Sequence, residues 1–490
     1  MKLLIINHNF QHDIESLCSV ESGHEIRVWS ARRLGKLASS YFPKSVFSSM
    51  LGEEFSHSQF AKARKKYSIA ARTILHNIYK SYQFDCIISP SDTVFYLRAW
   101  VDSAHELGMP FIVLQKETSI SPYTMIEDAR EIGRSLPFIG DLMLVCSDHH
   151  KQFWLNAGAD GNKIIVTGQP RFDFYARPDK WMHRGQMVPS PLGNRVTILF
   201  FSYDLGAYSR DGVLAATWLQ LRSETEEILV NLAKQGFCNV IVKPHPQQQE
   251  IEKYSEHLST MSGDLWGNAV QLISGEVDAR QLILAADAIV GFQTTALFEA
   301  LAAGKFVIYT FWSDPVHKFV KDLLPFHEMQ DTLTIASSPE SLKKNLLSTL
   351  KITSLNNEVR QPTAEILRQL GPLDGHASER CLHLIGEYVN NHAEQFSKAA
   401  RTLRKDLDSQ ASGYCKRIFP KIIVSILFWR LIIFLYPAIK LILIVVNRFI
   451  SSRRAEQLLH KAIEHRRNLE DDLYYCRQIL KNHQVVNSNV

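Results

Sequence analysis

Short apolar runs bounded by turn residues recur along the chain. KLLIIN (2–7), HEIRVWS (24–30), FDCIISP (84–90), PFIVLQ (110–115), LMLVCS (142–147) and KIIVTG (163–168) come first, with helical periodicity between most of them, as through Ile14 to Ser19. Near-continuous hydrophobic strands alternating with helices predict a parallel sheet covered on both faces. The stretch YARPDKWMHRGQMVPSPLGNR (175–195) has three prolines and little periodicity, which predicts a linker over 176–195. The rhythm then restarts with VTILFFSY (196–203), a helix around 217–235, NVIVK (239–243), AVQLIS (269–274), AIVGF (288–292) and FVIYT (306–310). The pattern predicts two Rossmann-like α/β domains, 1–175 and 196–395. Ligands of such sheets bind outside the carboxyl ends of the strands, so the expected site is the cleft between the domains.

Two strand ends carry chemistry. NVIVK runs into Lys243-Pro244-His245-Pro246. Each proline lacks a backbone donor and holds the residue before it extended, so the ladder stops and Lys243 and His245 are rigidly presented. AIVGF runs into Gln293-Thr294-Thr295, where either threonine can cap a helix whose free N–H groups suit a phosphate. Glu299 lies one turn in, placed to accept from ribose hydroxyls. With parallel strands ending side by side, Lys243 and His245 are expected to face that helix start as a cationic corner, able to stabilise charge on a departing phosphate.

Composition adds the chain's tail to this picture. The chain has 490 residues and a net charge of +5, but residues from Lys398 onward hold 17 Lys and Arg against 7 Asp and Glu. The remaining 38 against 43 leave the body at −5, which speaks against a nucleic-acid-binding body. Seven scattered cysteines, with no CxxC or zinc-like spacing, predict a reducing compartment and no structural metal. The opening MKLLIINHNF is too short in apolar residues for a signal-peptide core. Residues 418–450, IFPKIIVSILFWRLIIFLYPAIKLILIVVNRFI, are apolar nearly all round, yet Arg430, Lys440 and Pro437 interrupt every run short of the ~20 residues that a clean span needs. Flanking basic clusters predict a monotopic or re-entrant membrane-associated segment over 396–454, with a true span as the alternative. An amphipathic helix over 455–490 is expected to pack on the body or to pair with a copy of itself as a homo-oligomer.

The runs CSDHHKQFWLNAGADGNKIIVTGQPRFD (146–173), KPHP (243–246), QTTALFEALAAGK (293–305) and LDGHASER (373–380), in that order, resemble bacterial GT-B transferases of surface polysaccharide synthesis. Capsule polysaccharide glycosyltransferases and CDP-glycerol glycerophosphotransferases are closest in pattern, and UDP-GlcNAc 2-epimerases are more distant kin. The chain departs from the glycerophosphotransferases at Gly291-Phe292-Gln293-Thr294-Thr295, where they carry Asp-Tyr-Ser-Ser; this weakens a polyol-phosphate (CDP-glycerol type) assignment. The resemblance implies a GT-B fold and a nucleotide-activated donor held by the second domain, with His245 on the donor phosphate and Glu299 near the ribose. It also implies metal-independent transfer without a cofactor. On the acceptor side it points to His12 or Asp13 on the first helix. Strand ends add Lys116 and Glu117 (QKETS), Asp92 (SPSD) and, in GQPRFD, Arg171 as a phosphate or acceptor contact. Glu117 is the expected base, followed by His12; Asp92 with Glu117 also matches the acidic pair of an epimerase. The expected function is transfer of a CMP- or UDP-linked sugar to a lipid-linked or growing polysaccharide acceptor, at the cytoplasmic face of a bacterial inner membrane and on an anionic lipid surface. A 2-epimerase and a non-catalytic scaffold are the rivals.

Overall fold

Twelve strands form two parallel sheets of six among the described residues. The structure, a computed structural model, describes residues 1–393 except 9, 49–52, 117–119, 121–122, 179–180, 182–194, 204–212, 246–247, 249, 275–276, 313–319, 321–322 and 354–360. The expected membrane-associated segment 396–454 and the helix 455–490 lie outside the described residues, as does most of the expected linker. Among the described residues no helix is long and apolar enough to cross a membrane.

The first sheet holds β1 (Lys2–Asn7), β2 (Glu25–Ser30), β3 (Cys86–Ser89), β4 (Phe111–Leu114), β5 (Leu142–Val145) and β6 (Ile164–Val166), in the order β2-β1-β3-β4-β5-β6. Every residue of β3, β4 and β5 is buried, which is why those runs read as continuous rather than alternating. The second sheet holds β7 (Val196–Phe201), β8 (Cys238–Lys243), β9 (Val270–Leu272), β10 (Ala288–Gly291), β11 (Phe306–Thr310) and β12 (Thr334–Ala336), in the order β12-β11-β10-β7-β8-β9. Counted within its own domain this is the doubly wound 3-2-1-4-5-6 order, and the chain changes direction between β7 and β10. In the first sheet that change falls between β1 and β3. The two-domain α/β expectation is met; β12, only three residues long, has no signal in the sequence.

The strand order corrects one expectation. β8 and β10 are not neighbours, because both pair with β7, which stands between them. After β9 the crossover returns to the far side of the domain's first strand, as the doubly wound order requires. The end of β8, with Lys243 and His245, is thus ~9.5 Å from the end of β10 at ~4.8 Å per strand. Only a ligand lying across the end of β7 reaches both.

A second correction concerns the domain boundary. The closing helix Ala377–Asn391, assigned by sequence to the 196–395 unit, packs on the first sheet, where Cys381, Leu382 and Ile385 share a core with Leu3, Ile5, Ile14 and Leu17. Asp173 fixes its start by accepting from the backbone N–H of Ala377 (3.0 Å) and Ser378 (2.7 Å). Gly371 makes the return crossing feasible. Its φ is +72°, and a Cβ there would lie 1.9 Å from the Cys146 carbonyl oxygen. The chain therefore returns from the second domain to the first, and the two domains are joined twice.

Candidate active site

Helices that follow β-strands start at the carboxyl ends of those strands, and here the two carboxyl rims face each other. Three contacts cross between them. The first helix, Gln11–Cys18, meets the start of Ala279–Ala285, where Arg280 Nη2 donates to Glu15 Oε2 at 2.7 Å. Tyr123, after β4, donates its hydroxyl to Glu328 and stacks on His327 with ring centroids 5.9 Å apart. The turn Pro170–Ala176, after β6, reaches Glu299 on the helix Ala296–Ala302.

That third contact is a chain of charges. Asp13 is fully buried, accepts from the Arg171 backbone N–H (3.2 Å) and Nε (3.1 Å), and has Arg171 Nη2 3.0 Å from its Oδ2 in an ion pair. Arg171 Nη1 lies 3.9 Å from Glu299 Oε1, while Tyr175 donates its hydroxyl to Glu299 Oε2 at 2.8 Å. Burial, then the Glu299 charge, push the Tyr175 phenol well above its ordinary range, so it stays a donor. Arg171 is thus a bridge between a buried carboxylate of one domain and a half-buried one of the other. Asp13 and Arg171, expected as cleft contacts, are engaged with each other.

In the second domain Lys243 closes β8 with 8% exposure, and burial lowers its pKa. Its carbonyl accepts from Ser202 N–H at 3.0 Å, and the His245 carbonyl accepts from Gln248 N–H at 2.9 Å, so the end of β8 is held beside the end of β7. Thr294 Oγ1 accepts from Ala296 N–H at 3.3 Å; Thr295 occupies the cap position, is exposed, and makes no cap with its side chain. Gln293, expected to bind the donor, is 1% exposed and holds a left-handed backbone at φ 43°. Its amide donates to Tyr309 Oη (2.6 Å) and accepts from Leu324 N–H (2.7 Å), so it braces the loop instead. Replacing Gln293 by alanine leaves the Leu324 donor unpaired and keeps the backbone strain; a loss of ~1–3 kcal/mol is expected in denaturant unfolding.

In the first domain His12 stands on the first turn of Gln11–Cys18, with its side chain 39% exposed and Nδ1 3.4 Å from Glu15 Oε2. Partial burial raises the Glu15 pKa, but hydrogen bonds from Arg280, Gln11 and His12 outweigh it and hold the carboxyl below its ordinary value. Arg280 is itself held by Asp278 (Nη2 to Oδ2, 2.8 Å) and lies over the Phe174 ring at 4.4 Å. Glu117 lies outside the described residues. The Lys116 carbonyl accepts from Gln169 Nε2 at 2.6 Å, which sets the course of the loop after β4.

Asp92, expected at the cleft, is fully buried, and its Oδ2 accepts from the N–H groups of Ile139 (2.7 Å) and Gly140 (3.1 Å). Burial raises its pKa, with those bonds and Arg98 opposing. The folded chain therefore holds this proton more tightly than the unfolded one, and stability falls as pH rises from the unfolded carboxyl value of about 3.9 through the folded value. Asp92→Asn removes this slope: its melting temperature relative to wild type is expected to be higher at pH 7 than at pH 3.5.

Sequence reasoning missed Glu15, Tyr175, Ser202, Tyr203 and Arg280. Ser202 and Tyr203 follow directly from β7, at the switch point, and only the strand order marks them out. No group of three or more His, Cys, Asp or Glu suited to a metal ion occurs among the described residues.

No family model and no curated protein matches the chain. Solved structures do resemble it in fold. A UDP-GlcNAc 2-epimerase from Neisseria meningitidis bound to UDP-GlcNAc is 13% identical, with 79% of this chain and 100% of that chain covered at a TM-score of 0.47. The UDP-GlcNAc 2-epimerase from Methanocaldococcus jannaschii is 14% identical, with 79% and 100% covered and a TM-score of 0.49. A glycosyltransferase from Rickettsia africae is 14% identical, with 81% and 98% covered and a TM-score of 0.40.

Proposed function

We propose that the chain is a GT-B glycosyltransferase that moves a sugar from a nucleotide donor to an acceptor hydroxyl of a lipid-linked or growing surface glycan. One observation carries this reading: the switch points of both sheets, β1/β3 and β7/β10, open onto the same interdomain cleft. The nucleotide lies across the end of β7, with its phosphates toward the Lys243–His245 end of β8 and its ribose toward Glu299. Burial lowers the Lys243 pKa, and a phosphate bound beside it would oppose that shift.

In the transfer the acceptor oxygen bonds to the anomeric carbon, its proton passes to the His12 imidazole, and the bond from that carbon to the donor phosphate oxygen breaks. The charge left on the phosphate is stabilised by the His245 end of β8. Glu15 orients His12, and Arg280 holds Glu15. The bridges from Arg171, Tyr175 and Arg280 bring the two walls together around the reacting atoms and exclude water, which keeps transfer ahead of hydrolysis.

His245→Ala is expected to lower turnover at least tenfold while CMP, CDP or UDP still binds in calorimetry. Turnover at the wild-type rate would remove His245 from the mechanism; heat-silent titrations with all three nucleotides would leave a non-catalytic scaffold. A nucleotide-sugar 2-epimerase is the second reading, since the same cleft would hold its substrate. It separates cleanly: an epimerase releases an epimerised sugar from the donor with no acceptor present, and a transferase does not.

A further inference from the structure

The first domain carries a charge asymmetry that the cleft does not use. Residues 27–80 hold 11 Lys and Arg against Glu53 and Glu54 alone, a net +9, while the rest of residues 1–397 sums to −14. Ten of these eleven positives, all but Arg27 on β2, lie on helices Ala31–Ala38, Lys44–Ser48 and Ala61–Ser81, which converge through Leu34, Ala38, Phe42, Val46, Tyr67 and Ala71 on one core of the first domain. Arg32, Lys36, Lys44, Lys62, Lys65 and Lys66 are all exposed, and none of the six is paired with an acid among the described residues.

Their spacing is informative. Lys62, Lys65, Lys66 and Ile69 fall at i, i+3, i+4 and i+7, one stripe of the Ala61–Ser81 helix, and all four are exposed, Ile69 at 46%. Arg32 and Lys36 repeat the like-charge i, i+4 pair on their own helix, and Lys44 precedes the exposed Phe47 by three residues. Like charges at these spacings repel and weaken an isolated helix. An external anionic surface removes that repulsion. The helices Ala31–Ala38 and Ala61–Ser81 both start on the carboxyl-end side of the first sheet, the side on which the cleft opens. A Cβ on Gly35 would lie 3.9 Å from Tyr96, whose ring makes an edge contact with His8 just beyond β1.

We infer that this basic stripe, with Ile69 and Phe47 set among the positives, docks the first domain on an anionic lipid bilayer and turns the cleft toward it. Positive side chains interspersed with single apolar ones suit headgroups with shallow insertion. The patch presents no exposed aromatic row on which nucleic-acid bases could stack, so a polynucleotide fits it less well. The purpose assigned to this surface rests on the proposed transfer to a membrane-borne acceptor, but its test involves neither donor nor acceptor, so either reading can fail alone.

The test uses the full chain, so that the 418–450 segment contributes equally to every variant. Binding is measured to vesicles of phosphatidylcholine and to vesicles containing one third phosphatidylglycerol. Lys62→Glu/Lys65→Glu/Lys66→Glu is expected to weaken binding to the anionic vesicles at least tenfold and to leave the neutral ones unchanged. Lys343→Glu/Lys344→Glu, an exposed basic pair on the second domain's helix Pro339–Thr353, is expected to change it less than twofold. Where the charge reversals unfold the helix, the corresponding glutamine triple variant is expected to show a loss of at least threefold. Equal binding by the stripe variant and wild type, equal loss from both sites, or tighter binding of wild type to a single-stranded oligonucleotide than to anionic vesicles would overturn the proposal.

Discussion

Replacing Arg171 by methionine lowers the unfolding free energy by about 3–5 kcal/mol, the largest stability effect expected of any single substitution outside the hydrophobic cores. Methionine keeps much of the apolar stem and removes the charge. Asp13 is fully buried, and three of its contacts come from this one residue, two of them from the guanidinium. Without the guanidinium the carboxylate is left in a low-dielectric site with only the Arg171 backbone N–H, and the desolvation cost stands uncompensated. Removing both charges, as Arg171→Met/Asp13→Leu, is expected to restore at least half of the loss, since the cost lies in the unpaired ion and not in the absence of the pair. Guanidinium chloride unfolding of the four members of this cycle measures it. A loss under 1 kcal/mol in the single variant would show that the Asp13 carboxyl reaches water or another donor. The double variant also reports on function: Glu299 keeps its Tyr175 hydrogen bond but loses the nearby Arg171 charge, so turnover stays reduced even where stability returns.

Much of this architecture was legible before any coordinates. Fully buried strands such as Phe111–Leu114 and Leu142–Val145 announce a parallel sheet because both faces must be apolar, and the proline-rich stretch after Tyr175 marks where one domain hands over to the next. Strand order is a different kind of information. Nothing local to Lys243 or Gly291 says that β7 will stand between their strands; that follows from the crossover after β9, a property of the whole domain. The closing helix was misassigned for the same reason. Its apolar positions Cys381, Leu382 and Ile385 show that it covers a sheet, but not which one.

Site residues divide in a similar way. His12 and Glu299 each stand in the first turn of a helix at a strand end, where the sequence places them. Asp92 and Gln293 stand at strand ends too, yet fold inward to hold backbone groups, Asp92 in the loop at Ile139 and Gly140 and Gln293 at Leu324. A short polar side chain beside a tight turn serves the backbone as readily as a ligand, and sequence alone does not separate the two. Arg280 gave the weakest signal of all: its role depends on Glu15, 265 positions earlier, and on a domain interface that no local pattern encodes.

His12→Ala carries the largest expected effect on rate, a loss of turnover of ~10²–10⁴-fold with donor binding retained, as when a general base is removed. The imidazole stands on the first turn of the helix after β1, at the first sheet's switch point, with its side chain 39% exposed and Nδ1 turned to Glu15. In the proposed transfer the Nδ1 contact leaves Nε2 as the nitrogen that takes the acceptor proton. Glu15→Gln weakens the orientation without removing the base, so its loss is expected to be smaller, and it also breaks the ion pair to Arg280 that spans the cleft. The two variants therefore differ in kind. His12→Ala lowers kcat and leaves the KM for donor unchanged, while Glu15→Gln shifts both, because closing the cleft and orienting the base depend on the same carboxylate. Steady-state kinetics with varied donor distinguish them. Wild-type turnover in His12→Ala would pass the proton to Glu117, the other base expected on the loop after β4, and Glu117→Gln would then abolish what His12→Ala had spared.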